Sequence, residues 1–211
     1  MSTTPRTARG TRTRARLVEA AEQVFASVGY HDASIVKITE QAGVGLGTFY
    51  LYFDGKQAIF DEVVEDLNRR VRQAMTEAAK AAANRIEAER EGFRAFFRFT
   101  AEHPALYRII RQAEFVSPGA LRMHYTRIVH GYVEGLKAAR DAGEIRPMDV
   151  DTVAWALMGI GEMLGMRWVL WHADREGGGP APEIPEAEFE EMMRFIERGM
   201  APEAPADGGG A

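Results

Sequence analysis

Cysteine is absent from the 211-residue chain, which rules out disulfides and any thiolate-held metal and fits a reducing compartment. Long apolar runs are absent too. The longest uncharged apolar stretch lies between Asp151 and Glu162, short of the roughly 20 residues that cross a bilayer. The opening MSTTPRTARGTRTRAR carries arginines but no apolar core, so it does not read as a secretory signal. His31, His103, His124, His130 and His172 are scattered, and His124 and His130, six apart, fall on different helix faces. No nucleophile motif and no metal-type cluster stands out. These absences predict a soluble cytoplasmic protein with no catalytic site, cofactor or metal.

Acidic residues are missing from one place in particular. Residues 1–16 hold five arginines (Arg6, Arg9, Arg12, Arg14 and Arg16) and no carboxylate. Residues 1–56 carry seven basic against five acidic side chains, so with a chain total of −5 the remainder carries −7. A basic head on an acidic body suits contact with a polyanion at one end. Charge alone fits a solvated tail equally well.

Strand patterns are missing as well, and the periodicity is helical. Leu17, Ala20, Ala21, Val24, Phe25 and Val28 recur at the spacing of an amphipathic stripe. That helix is expected to begin near Thr11 to Thr13 and to stop at Gly29. Ser34 offers an N-cap to a short helix, Ile35 to Ala42, ended by Gly43, and a second short helix covers about Gly45 to Leu51. Longer helices follow from about Gly55 through the alanine-rich 74–83 segment, over 86–101 up to the break at His103-Pro104, and over 104–115. The last three cover 120–141, 149–173 and 186–200, with GGGPAP (177–182) as a linker. The expected fold is all-α with about nine helices.

Two short helices joined at Gly43-Val44 behind a basic arm describe a helix-turn-helix, whose second helix enters the major groove of DNA while the first crosses the backbone. In GVGLGTFYLYFDGK (43–56), Gly45 and Gly47 remove bulk where a helix N-terminus approaches phosphates. Thr48 and Tyr50 offer hydroxyls to phosphates. Phe49 and Phe53, four apart, share a face and are expected to bury against Val24, Phe25 and Ile38. Lys56, in the first turn of the next helix, stands against the helix dipole unless an anion is near, and a DNA phosphate is the expected anion. Each residue alone has a plainer explanation; their order and spacing favour DNA.

The segment SIVKITEQAGVGLGTFYLYFDGKQAIFDEVV resembles the DNA-binding domain of the TetR family of bacterial transcription regulators, and the resemblance extends upstream through ARLVEAAEQVFASVGYHDAS, about residues 13 to 65. It implies an all-helical homodimer with three N-terminal helices for DNA and a variable ligand-binding body. Carried onto this chain, it puts Thr48, Tyr50 and Lys56 at phosphate contacts and Gly47 at a close backbone approach. The expected DNA-contact set is Arg14, Ser34, Lys37, Gly45, Leu46, Gly47, Thr48, Tyr50, Tyr52 and Lys56. The chain departs from the family pattern at Gly45, where serine or alanine is common, and at Leu46 and Val36, where polar or basic residues are. Leu51-Tyr52 replaces a pair that usually ends in histidine. Base readout through bidentate polar groups is therefore thin. Leu46 or Leu51 is left to touch a thymine methyl, and Lys37 or Tyr52 a base or phosphate.

These readings divide the chain into a basic flexible arm (1–12), a helix-turn-helix domain (13–56), a ligand-binding and dimerisation domain (57–200) and a disordered tail (201–211). The body is rich in large apolar groups. Phe93, Phe96, Phe97, Tyr107, Phe115, Met123, Trp155, Met158, Met163 and Trp168 are the candidate pocket, with Arg108 and Arg111 at its mouth for an anionic head group. The same groups serve equally as an ordinary core. Helix 149–173, apolar nearly all round, carries Gly159, Gly161 and Gly165; with Phe189, Met192, Met193, Phe195 and Ile196 it offers a two-fold seam. EHPALYRIIRQAEFV and GIGEMLGMRWVLW resemble segments of regulators that answer to acyl chains or acyl-CoA thioesters, with drug-like or aromatic effectors left open. The expected function is a ligand-responsive repressor, released from a pseudo-palindromic operator in double-stranded DNA by a hydrophobic small molecule. The alternative is a small-molecule-binding or partner-docking helical protein with weakened operator recognition.

Overall fold

The computed structural model describes residues 7–171 and 184–202. The first six residues of the arm, the linker at 177–182, His172 and the tail beyond residue 202 lie outside the described residues. Every regular element among those described is helical: α1 (Ala8–Asp32), α2 (Ile35–Ala42), α3 (Leu46–Phe49), α4 (Lys56–Ala79), α5 (Arg85–Glu102), α6 (Ala105–Val116), α7 (Pro118–Asp141), α8 (Val150–Gly165, running on as a wider turn over Met166–Leu170) and α9 (Glu186–Met200).

Local chemistry sets the boundaries. Ser34 Oγ accepts the Lys37 amide at 3.1 Å and starts α2, and Gly43 ends it in the left-handed region at φ 61°. Gly29, at φ 77°, breaks the regular run of α1. That helix starts at Ala8 rather than near Thr11, because the Thr7 hydroxyl accepts the Gly10 amide at 3.1 Å. Thr7, Thr11 and Thr13 are all capping residue types, and only the chain's path selects the first. Ser117 alone separates α6 from α7, since Pro118 at the first helical position loses no hydrogen bond.

The chain forms two compact units. The first comprises the described residues up to Arg72 together with Glu102–Thr126. Leu17, Phe25, Ile38, Phe49, Phe60 and Leu67 fill its core, with the Phe60 ring edge-on to Phe25 at 5.2 Å. Ion pairs Arg14–Glu62 (2.6 Å) and Arg70–Glu22 (2.8 Å) brace α1 against α4. One polar pair is sealed inside. Asn68 Nδ2 donates to the His124 carbonyl at 2.9 Å and meets His124 Nδ1 at 3.2 Å, so Nδ1 is the acceptor and the ring proton sits on Nε2. Burial holds the His124 ring neutral, lowering its pKa from 6.5 to about 4.

The second unit comprises the described residues of Gln73–Ala101 and those from Arg127 onward. Phe93 and Phe97 stack at 6.2 Å, and Phe189 meets Phe97 edge-on at 6.3 Å. Arg94 ties α5 to α9 through both Glu186 oxygens (2.8 and 2.7 Å) while lying 4.2 Å over the Phe189 ring. Beneath the surface, Arg85 pairs with Glu89, whose side chain is almost wholly buried. Burial raises the Glu89 pKa and the Arg85 charge opposes that rise. Any side chain at Gly135 would overlap the Arg85 guanidinium, so the glycine makes room for the pair.

Helix α8 departs from the burial expected on several sides. Gly161 does serve a close approach, since a methyl there would sit 3.0 Å from the Phe93 ring. Yet Trp155, Met163 and Trp171 are exposed. On α9, Phe189, Met192, Met193 and Ile196 turn into the unit's own core, leaving Phe195 outside at 70% exposure. The seam expected from those residues is thus split, because one chain covers only one face of these helices. Val150–Leu170, at 21 residues, is long and apolar enough to cross a membrane by length and composition, although Glu162 interrupts it.

Two stability tests follow. The folded His124 pKa lies below the unfolded one, so its stabilising contribution is complete above pH 6.5 and is lost as pH falls toward 4. Denaturant melts are expected to show about 3 kcal/mol of acid destabilisation from this group, absent in His124→Gln. Arg85→Met strands a buried carboxylate and is expected to cost about 3 kcal/mol, most of it recovered in the Arg85→Met/Glu89→Met double variant.

Candidate nucleic-acid interface

Helix α3 is insulated on one side and open on the other. Phe49 and Phe53 are buried with rings 5.7 Å apart, and the Arg14 guanidinium lies 5.1 Å from the Phe53 ring centroid. With that side fixed, Leu46, Gly47, Tyr50 and Leu51 stand outward, Leu51 at 67% exposure, and Thr48 and Tyr52 are half-buried. A methyl at Gly45 or Gly47 would meet nothing within 4 Å. Neither glycine is therefore needed by a contact inside the chain, which leaves room for a partner's backbone. On α2, Ser34 is engaged as the cap, Val36 and Lys37 are exposed, and Lys37 Nζ donates to the Asp32 carbonyl at 3.1 Å.

Two of the expected phosphate contacts have partners within the protein. Arg14 is turned inward to Glu62 and Phe53. Lys56 Nζ donates to the carbonyls of Tyr30 (2.7 Å), Ala33 (2.8 Å) and His31 (3.3 Å) and lies 4.4 Å over the Tyr30 ring. In the protein alone, the carbonyl end of α1 supplies the negative charge that its place at a helix N-terminus calls for. Three donors on three acceptors leave the ammonium fully committed. The same turn is gripped from α6, where Gln112 Oε1 accepts the Tyr30 amide at 2.6 Å while its Nε2 donates to the Arg108 carbonyl at 2.9 Å. Arg16 donates to the Ala42 carbonyl at the end of α2, where a cation is favoured.

The sequence pattern of the bacterial regulatory proteins, tetR family, matches residues 17–63, from α1 into the first turns of α4. The HTH-type transcriptional regulator YdgC of Bacillus subtilis is 32% identical over 169 residues, 77% of this chain and 84% of that one. The chain belongs to the TetR family. It is a DNA-binding transcriptional regulator. Its fold matches FadR from Bacillus halodurans (TM-score 0.76, 18% identity, covering 92% and 96% of the two chains). It also matches FadR from Bacillus subtilis in complex with stearoyl-CoA (TM-score 0.73, 22% identity, 86% and 96%).

The regulator's expected pocket residues are distributed over both units. In the first, Tyr107 is buried, Met123 half-buried, and Arg108, Arg111 and Phe115 exposed, Phe115 at 82%. In the second, Phe93, Phe96 and Phe97 are packed core, Met158 and Trp168 are half-buried, and Trp155 and Met163 are exposed. One cleft in each unit is lined by other, largely charged residues: Arg14, Glu22, Glu62 and Arg70 in the first, Arg85, Glu87, Arg90 and Glu144 in the second. Sequence reasoning missed Asn68, His124 and Gln112. Asn68 had a signal, being an amide set among the apolar positions Val64, Leu67 and Val71 of α4.

Lys56→Met is expected to lower the unfolding free energy by about 2 kcal/mol, since it removes a charged donor from three carbonyls. Thermal melting checks this in the absence of DNA.

Proposed function

We propose that this TetR-family regulator binds a pseudo-palindromic operator as a cytoplasmic homodimer and represses until a hydrophobic effector of the acyl-CoA class releases it. The division of α3 and the turn after it carries the DNA half: Phe49 is sealed in the core while Leu46, Gly47, Tyr50 and Leu51 are exposed and Thr48 is half-buried. Thr48 and Tyr50 offer hydroxyls to phosphates, with Ser34, Lys37 and Tyr52 beside them. Leu46 and Leu51 offer apolar surface to thymine methyls.

The uncovered Trp155, Met163, Trp171 and Phe195 support the dimer, because large apolar groups left outside one chain are covered by a two-fold copy. Such a dimer suits half-sites about 34–36 Å apart. The effector class rests on the fold shared with the stearoyl-CoA complex of FadR and on Arg108 and Arg111, exposed on α6, whose guanidinium groups suit a phosphorylated head.

A gel shift on DNA from upstream of the regulator's own gene is expected to be saturable and salt-sensitive, and to be reversed by stearoyl-CoA. Thr48→Ala/Tyr50→Phe is expected to weaken it roughly tenfold with unchanged melting. No shift under any condition sinks the operator reading. A shift that stearoyl-CoA leaves intact, with no change in melting, removes the acyl-CoA assignment alone.

A further inference from the structure

Arg9, Arg12 and Arg16 share one face of α1, falling within about 60° of each other at 3.6 residues per turn. That face borders a cleft of about 570 Å³ whose far wall includes Gly45, Thr48 and Tyr52, and no carboxylate lines it among the described residues. Arg16 is engaged with the Ala42 and Gly43 carbonyls, which seats the helix face against the α2–α3 turn. Arg9 and Arg12 continue the face outward, exposed and without an acidic partner among the described residues.

Their position is electrostatically unfavourable. Arg9 lies in the first turn of α1, where the helix dipole repels a cation, Arg12 sets a like charge three residues on, and Thr7 already satisfies an amide there. Lys56 has the same conflict, and the carbonyl end of α1 resolves it. Among the described residues no group resolves it for Arg9 and Arg12. A phosphodiester in the cleft would, and guanidinium forks suit phosphate oxygens better than ammonium groups do. Thr48, across the cleft, faces the same backbone.

We infer that Arg9 and Arg12 grip DNA phosphates beside the recognition helix, making the start of α1 a second, sequence-independent clamp. This rests on the operator-binding reading above. It adds two contacts that the helix-turn-helix itself does not supply.

The test is the salt dependence of DNA binding by the full chain, on its own upstream fragment and on unrelated DNA. Arg9→Ala and Arg12→Ala are each expected to weaken both affinities at least roughly tenfold and, since the dimer loses one phosphate contact per protomer, to flatten the slope of log K against log salt by about 1.8. Melting should be unchanged, since alanine is a strong helix former. Arg9→Lys/Arg12→Lys is expected to restore the slope, which a purely structural role would not predict. A double-alanine variant with the wild-type slope, on a fragment the wild type binds, overturns the clamp alone. So does a loss confined to the upstream fragment, which would mark base readout. A wild type that shows no salt-sensitive binding overturns the operator reading and the clamp together.

Discussion

The DNA-binding head depends on how the carbonyl end of α1 is held. Gly29 breaks the helix with a positive φ, which frees the chain to turn but leaves its last carbonyls without amide partners. Lys56 meets three of them from the start of α4, and Gln112 holds the Tyr30 amide from α6. α2 begins directly after this turn, so one ammonium group and one amide side chain hold its point of entry. Within the first unit, α6 is therefore wired to the recognition element by a hydrogen bond to the backbone, which no exchange of side chains in α2 or α3 would alter.

The cations of the head sort by what answers them. Arg14 has Glu62, Arg16 the end of α2, Lys56 the end of α1 and Lys37 the Asp32 carbonyl. These contacts give the head its shape. Arg9, Arg12 and the residues of the α3 turn are not part of that set. Within one basic cluster, some members hold the fold together and others stand exposed at its edge.

Much of this was legible in the residues. Ser34, Gly43 and Gly29 punctuate the chain where capping chemistry requires, and the Phe49–Phe53 spacing places the anchor of α3 in the core. Lys56 shows the limit of such reasoning, because its misfit with the helix dipole is readable while the identity of the compensating group depends on a turn 23 or more residues upstream. The body shows another. Phe93, Phe97 and Phe115 are the same residue type at helical spacing, yet two are core and one stands outside. Apolar periodicity likewise cannot distinguish a face covered by the chain's own helices from one left exposed, and α8 has both.

Helix α1 runs regularly from Ala8 to Gly29, so about 10.5 Å of rigid rod separates Arg9 from Arg16. Inserting or deleting one residue between them would preserve every side chain and still swing Arg9 about 100° off the cleft. The stretch from Thr7 to Arg16 is therefore constrained by its length as well as by its arginines, and natural variants of this head should tolerate exchanges at its other positions far better than changes in residue count.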